Sequence, residues 1–281
     1  TKAPEASAAP AASSDVHRFK IGSLDAIALR EGGMTVPNDN KVLGVGRTKE
    51  EVAAVLTANG MSADGIPLSI QPLFVRDGQQ LVLIDAGAGA AMGADAGKLP
   101  ASLRAAGVEP TQITDVLISH SHPDHVGGLV DAAGALTFPN AKIRMTAAEW
   151  TYMQANPDLA ALTRTITPRV ETFAPGAVVA PGITAVAIDG HTPGHTGYEI
   201  VSGEDRLLYI GDTMHSSVIS VQRPDWRIAF DSDAATAQAS RKALLQRAAD
   251  GDLRLYAVHF PYPGLGRVQR KDEGFVWVPE S

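Results

Sequence analysis

Ser119-His120-Ser121-His122-Pro123-Asp124-His125 decides how the rest of this chain is read. Three imidazoles and a carboxylate stand between His120 and His125. The apolar run Ile113 to Ile118 leads into them and reads as a buried strand. Val126-Gly127-Gly128-Leu129-Val130 follows, where the chain can turn and open a helix. A strand that ends in a polar loop makes side chains converge on one point. Neutral imidazole and carboxylate are good ligands for borderline divalent metals such as zinc. His-x-His-x-Asp-His is therefore a metal-site pattern, far more specific than a lone histidine pair. The blander reading, a loop of solvated histidines, does not suit four potential ligands this dense.

The bulk composition frames the candidates. The chain has 281 residues, 44% of them hydrophobic, enough for a sizeable core in one large domain or two small ones. With 24 Lys and Arg against 31 Asp and Glu, the net charge is −7. That balance offers no basic footprint for nucleic acid, and the expected partner is a small-molecule substrate. No apolar run approaches the roughly 18–20 residues that span a bilayer. Cysteine is absent, which excludes disulfides and thiolate ligands, so every metal ligand must be nitrogen or oxygen. Thr1 to His17 is rich in Ala, Pro and Ser and reads as a disordered lead-in to a single domain over residues 18–281. Its composition is like that of a linker left behind a cleaved bacterial export signal, so a periplasmic or secreted location is expected.

Beyond Arg18, short strands and helices alternate. Phe19 to Ile21 and Leu24 to Leu29 read as paired strands, and Met34 to Arg47 as a long loop. Thr48-Lys49-Glu50-Glu51 is a capping box opening a helix that ends near Asn59-Gly60. Ile70 to Arg76 and Gln80 to Ile84 form a hairpin around Asp77-Gly78. Later come a strand at Ala141 to Met145, a helix at Thr146 to Met153, and strand material at Val178 to Ile188. Two more strands flank Gly203-Glu204-Asp205, and the longest helix is expected over Ala234 to Ala249. Two similar halves of this kind predict an α/β protein whose sheets carry helices on their outer faces.

Three further strand ends carry ligand-type residues. They are Gly190-His191-Thr192-Pro193-Gly194-His195-Thr196-Gly197, Tyr209-Ile210-Gly211-Asp212-Thr213 and Tyr256-Ala257-Val258-His259-Phe260. The order His-x-His-x-Asp-His, then His, Asp and His, resembles the dinuclear hydrolases of the metallo-β-lactamase superfamily. The likeness runs from about Arg18 to Pro279 and includes Leu83-Ile84-Asp85-Ala86-Gly87. Within the superfamily, Phe138-Pro139-Asn140-Ala141, His191 to Thr196 and Pro263-Gly264-Leu265-Gly266 look closest to methyl parathion hydrolase and related lactonases.

The resemblance implies a four-layer αββα sandwich and two divalent metal ions, expected to be zinc, with manganese, cobalt or iron also compatible. It implies that His120, His122 and His195 hold the first ion, that Asp124, His125 and His259 hold the second, and that Asp212 bridges them. It implies that Asp85 orients a ligand imidazole from behind. Of the remaining histidines, His191 reads as structural and His17 as inert, while His215 is either cavity-facing or solvated. Two dications about 3.5–4 Å apart can share a hydroxide of much lowered pKa and polarise a carbonyl or phosphoryl oxygen. Asp124 and Asp212 are then the catalytic carboxylates, Asp124 protonating an alkoxide leaving group. No Gly-x-Ser-x-Gly elbow offers a serine nucleophile.

His125 in the motif favours the lactonase, phosphotriesterase and glyoxalase II-like branches over antibiotic hydrolysis, and no basic cluster suggests a glutathione substrate. Met92, Trp150, Met214, His215 and Phe260 are the expected pocket walls, suited to a hydrophobic ester or lactone. Met92 stands where methyl parathion hydrolase has Phe, which weighs against efficient organophosphate turnover. The expected activity is cleavage of lactones or aryl esters, with promiscuous organophosphate triesterase activity. The alternatives are a dedicated phosphotriesterase, an N-acyl homoserine lactonase, or a metal-binding protein without catalysis. The resemblance also suggests a homodimer.

Overall fold

The computed structural model describes residues 15–281. Most of the expected lead-in therefore lies outside the described residues. Its last three residues do not: Asp15 is described, and Val16 and His17 open the strand Val16–Ile21, which pairs antiparallel with Leu24–Leu29.

Two seven-stranded sheets form the body. The first runs, edge to edge, through Val16–Ile21, Leu24–Leu29, Leu73–Asp77, Gln80–Ile84, Asp115–Leu117, Lys142–Thr146 and Val170–Phe173. The second runs through Val178–Ala180, Ile183–Ala187, Thr196–Ser202, Asp205–Tyr209, Arg254–Tyr256, Leu265–Lys271 and Gly274–Pro279.

Period-two alternation explains why they stack. Successive strand side chains point to opposite faces. Ala26, Ala28, Val75 and Val82 of the first sheet meet Ile183, Tyr198, Leu207 and Tyr209 of the second in one buried cluster. Their sequence neighbours Ile27, Leu29, Phe74 and Leu83 turn the other way, onto Leu99 and Leu103 of the helix Leu99–Ala105 and Met153 of the helix Ala147–Gln154. On the far side, Leu208, Leu255 and Val268 pack against Leu244, Leu245 and Ala248 of the helix Ala234–Asp250. The layers are therefore helix, sheet, sheet, helix, as expected.

Segment Met34 to Arg47 departs from expectation. It is no loop: Gly32–Pro37 pairs with Gly65–Ile70, and Leu43–Val45 pairs with Arg227–Ile228. With the capping-box helix Lys49–Ala58, these strands enclose a separate cluster of Val36, Leu43, Val52, Leu56, Ile66, Leu68, Trp226 and Ile228. This small subdomain sits beside the ends of the main sheets that carry the polar loops, through contacts such as Ser69 N–H to His259 O (3.1 Å).

Candidate metal centre

Parallel pairing brings the polar strand ends together. Gln80–Ile84, Asp115–Leu117 and Lys142–Thr146 are parallel neighbours in the first sheet, and Asp205–Tyr209 and Arg254–Tyr256 are parallel in the second. Parallel strands finish at the same edge of a sheet. Asp85, the loop from Ser119 to His122, Asp212 and His259 thus leave the carboxyl ends of their strands toward one place.

Two groups of donors result: His120, His122, His191 and Asp212, and Asp124, His125, Asp212 and His259, the chosen atoms of each lying within 4.8 Å of one another. Asp212 belongs to both. Its Oδ2 lies 3.3 Å from His120 Nε2 and 3.2 Å from His191 Nε2, while its Oδ1 lies 3.1 Å from His125 Nε2 and 3.0 Å from His259 Nε2. Asp124 Oδ2 closes the second group at 3.2 Å from both His125 Nε2 and His259 Nε2. Donors around a tetrahedral ion at 2.0–2.1 Å stand roughly 3.3 Å apart, so the spacing suits a cation in each group. His120 Nε2, His191 Nε2 and Asp212 Oδ1 are buried without a hydrogen-bond partner, a costly condition that a bound cation relieves.

The outer ring nitrogens explain why these lone pairs face inward. Ser119 Oγ donates to Asp85 Oδ2 and therefore accepts from His120 Nδ1 (2.9 Å). His125 Nδ1 donates to Asp85 Oδ2, His191 Nδ1 to Asp231 Oδ1 and His259 Nδ1 to Ser69 O, each at 2.8 Å. A proton fixed on Nδ1 leaves Nε2 as the ligand atom. Asp85 thus stands where the sequence placed it, behind an imidazole. It sits at φ 62°, a conformation that Asp tolerates, and is held by Ser119 N–H (2.8 Å) and Tyr209 O–H (2.6 Å).

His195 is the main correction. Its Nδ1 donates to Ile188 O and its Nε2 accepts from Asp212 N–H, both at 2.9 Å, so no lone pair remains for a metal. It instead braces the turn that carries Asp212. At Gly211, φ +54°, a Cβ would lie 2.6 Å from His195 Nε2, so this turn needs glycine. His191 takes the place expected of His195.

A buried carboxylate missed by sequence reasoning locks the two histidine loops. Glu149 Oε1 accepts from Ser121 N–H (2.7 Å) and Oγ (2.9 Å); Oε2 accepts from Thr192 Oγ (2.8 Å) and Gly194 N–H (3.0 Å). Only its position at the start of a helix was visible.

The electrostatics divide the imidazoles. Burial lowers His120 well below the usual range and His122 to about 4, so both are neutral at pH 7. Burial also pushes His259 down, but Asp212 and Asp124 outweigh it and raise it to about 10. Asp212 and Asp124 are held well below the ordinary carboxylate range, because the surrounding imidazoles outweigh their burial.

Above the donors opens a cavity of about 350 Å³, walled by Met34, Leu68, Ala91, Met92, Phe230 and His215 over His122, Asp124, Asp212 and His259. Met92 and His215 are where the sequence placed them. Trp150, Met214 and Phe260 are not: Trp150 packs on the outer core of the first sheet, while Met214 and Phe260 are fully buried in the outer core of the second, Phe260 edge-on to Trp277. Adjacency to a ligand did not decide their direction, because alternate side chains along an extended chain face opposite ways.

The family model of the metallo-beta-lactamase superfamily matches residues 66–259. Among solved structures, AidC, a dizinc quorum-quenching lactonase in complex with the product N-hexanoyl-L-homoserine, is 32% identical, covers 95% of this chain and 97% of its own, and superposes with a TM-score of 0.91. The hydrolase AbOPH of the beta-lactamase superfamily is 26% identical with 96% and 98% covered and a TM-score of 0.89. A probable metallo-hydrolase of Mycobacterium tuberculosis is 24% identical over 73% of this chain and 79% of its own. Sheet stacking, donor set and family match agree: this chain belongs to the metallo-beta-lactamase superfamily and is a metal-dependent hydrolase.

Proposed function

We propose that this protein is a dinuclear zinc lactonase that opens lactone rings carrying an apolar acyl chain. One observation carries the reading: two donor groups that share Asp212 lie at the floor of a cavity whose upper walls, Met34, Leu68, Ala91, Met92 and Phe230, are apolar. The likeness to AidC, with its acyl-homoserine product, supports that choice over an aryl ester or a phosphotriester.

His120, His122, His191 and Asp212 would hold one ion; Asp124, His125, His259 and Asp212 the other. When bound, two such ions supply a nucleophilic water at neutral pH and Lewis acidity toward the ester carbonyl. The protein supplies the rest. Buried Nδ1 partners hold the imidazoles in one tautomer. Asp124, a quarter exposed at the cavity floor, accepts the proton released as water adds to the carbonyl carbon. It returns that proton to the ring oxygen as the carbon–oxygen bond breaks, leaving a hydroxy acid. The apolar walls align the acyl chain, so that binding energy from remote atoms orients the ester.

The test is a panel of acyl homoserine lactones, aryl esters and phosphotriesters run on zinc-loaded protein. The expected result is highest kcat/KM on lactones, rising with acyl length, and a fall in kcat/KM of about tenfold for Phe230→Ala on long chains but not short ones. A preference for phosphotriesters would overturn the substrate assignment, and zinc binding with no turnover of any of them would overturn the activity.

A further inference from the structure

Arg241, on the helix Ala234–Asp250, is fully buried. A guanidinium cannot shed its charge, so it must be balanced where it stands. Its donors are spent on three acceptors: Nε on Thr213 O (2.9 Å), Nη1 on Pro224 O (2.9 Å) and Nη2 on Asp231 Oδ2 (2.8 Å). The other oxygen of Asp231 accepts from His191 Nδ1 at 2.8 Å. A continuous line therefore runs from the helix, through a guanidinium and a carboxylate, to an imidazole of the centre.

The same guanidinium reaches a second donor. Thr213 directly follows Asp212, so Arg241 fixes both the partner of His191 and the backbone beside the shared carboxylate. The loop is laced to this region as well, by Ser232 N–H to His191 O (3.1 Å), Asp233 N–H to Gly190 O (2.9 Å) and Ser240 Oγ to Asp189 O (2.7 Å). The other donor group is braced differently: His125 rests on Asp85, and His259 on a backbone carbonyl. One carboxylate oxygen of Asp231 faces the His191 ring and the other faces the Arg241 guanidinium, so both lie between fixed donors. Asp231, ion-paired to Arg241, thus accepts from His191 and keeps its proton on Nδ1.

We infer that Arg241, acting through Asp231, is a positioning residue that selectively sets metal affinity at the His120, His122, His191 and Asp212 position. The inference rests on reading the centre as a two-metal site. Asp231→Asn conserves shape but removes the charge that orients His191. Wild type and variant, both loaded with zinc, are dialysed against graded chelator and their metal content measured. Cobalt substitution then identifies by absorption which coordination environment is lost.

Outer partners of ligand histidines typically contribute 10–100-fold in affinity. The expected result is that Asp231→Asn releases one of two equivalents at roughly 10–100-fold lower chelator strength and holds the other as wild type does. In a His191→Ala background, Asp231→Asn should add nothing to the loss. Should Asp231→Asn not fold, Arg241→Lys, which keeps the charge but not the fork, carries the same comparison with a smaller selective shift. Equal weakening of both equivalents, or none, overturns the inference. Wild-type protein that holds no zinc overturns the reading of the centre instead.

Discussion

Glu149→Gln tests whether the two histidine loops are locked by one buried carboxylate. Each Glu149 oxygen accepts one backbone N–H and one hydroxyl. The hydroxyls of Ser121 and Thr192 can rotate to accept instead of donate. The N–H groups of Ser121 and Gly194 cannot. A glutamine must therefore aim its NH2 at one of them, leaving at least one buried donor unpaired at a cost of about 1–3 kcal/mol. The surviving bond also loses its charge assistance, worth about 1 kcal/mol more. A total near 3 kcal/mol lowers the melting temperature by about 6 °C, at about 2 °C per kcal/mol for a chain of this size. The assay is thermal unfolding of the metal-free protein, followed by zinc titration. The zinc readout matters because Ser121 lies between His120 and His122, while Thr192 directly follows His191. A purely structural lock would change the melt alone; a lock on the donor loops should weaken zinc binding too. Unfolding within about 1 °C of wild type would refute the reasoning, since it would mean that the loops find other acceptors.

Two further outcomes are expected. His191→Ala should cost the protein about one equivalent of tightly held metal with little change in the metal-free melt, whereas His195→Ala should lower that melt by the several degrees that about 3 kcal/mol of lost packing and bonding implies, and keep both equivalents; metal analysis beside calorimetry separates them. Protonated His259, paired with Asp212 and Asp124, stabilises the metal-free fold: that contribution is fully present below its ordinary value of 6.5 and is lost as pH rises through about 10. Metal must displace that proton and the one that Asp124, Asp212 and Asp85 hold on His125, so zinc uptake at pH 7–8 should release acid and tighten by about tenfold or more per pH unit until both imidazoles are neutral, as read in weakly buffered titrations.

Much of the fold was legible because it is written in local pattern. Short apolar runs such as Leu24–Leu29 and Leu207 to Tyr209 mark buried strands, and Thr48 with Glu51 marks a helix start through bonds made within four residues. The small subdomain was hidden for the opposite reason. Gly32–Pro37 is bounded by glycine and proline, which read as loop, and is held by Gly65–Ile70 far along the chain. Leu43–Val45 is too short to show a period, and its partner Arg227–Ile228 lies in the other half of the sequence. Losing that subdomain meant losing Met34, Leu68 and Phe230 as cavity walls. The pocket was sought near the ligands, where side chains such as Phe260 turn into the core.

The exchange of His191 for His195 shows where reading by type reaches its end. Both stand in Gly190-His191-Thr192-Pro193-Gly194-His195, both are buried, and both follow strand Ile183–Ala187. Spacing cannot rank them. What ranks them is hydrogen-bond supply from elsewhere in the chain. Asp231 offers His191 an acceptor for Nδ1 and nothing for Nε2, so a lone pair stays free to face Asp212. Ile188 O and Asp212 N–H take both nitrogens of His195, so its imidazole is spent as a brace. An imidazole is a ligand only if one nitrogen is left over. That condition is set by Asp231, forty residues beyond His191, and by the backbone beside Gly211. Replacing Asp231 should therefore disturb the metal more than replacing His195, although only the histidine resembles a ligand in sequence.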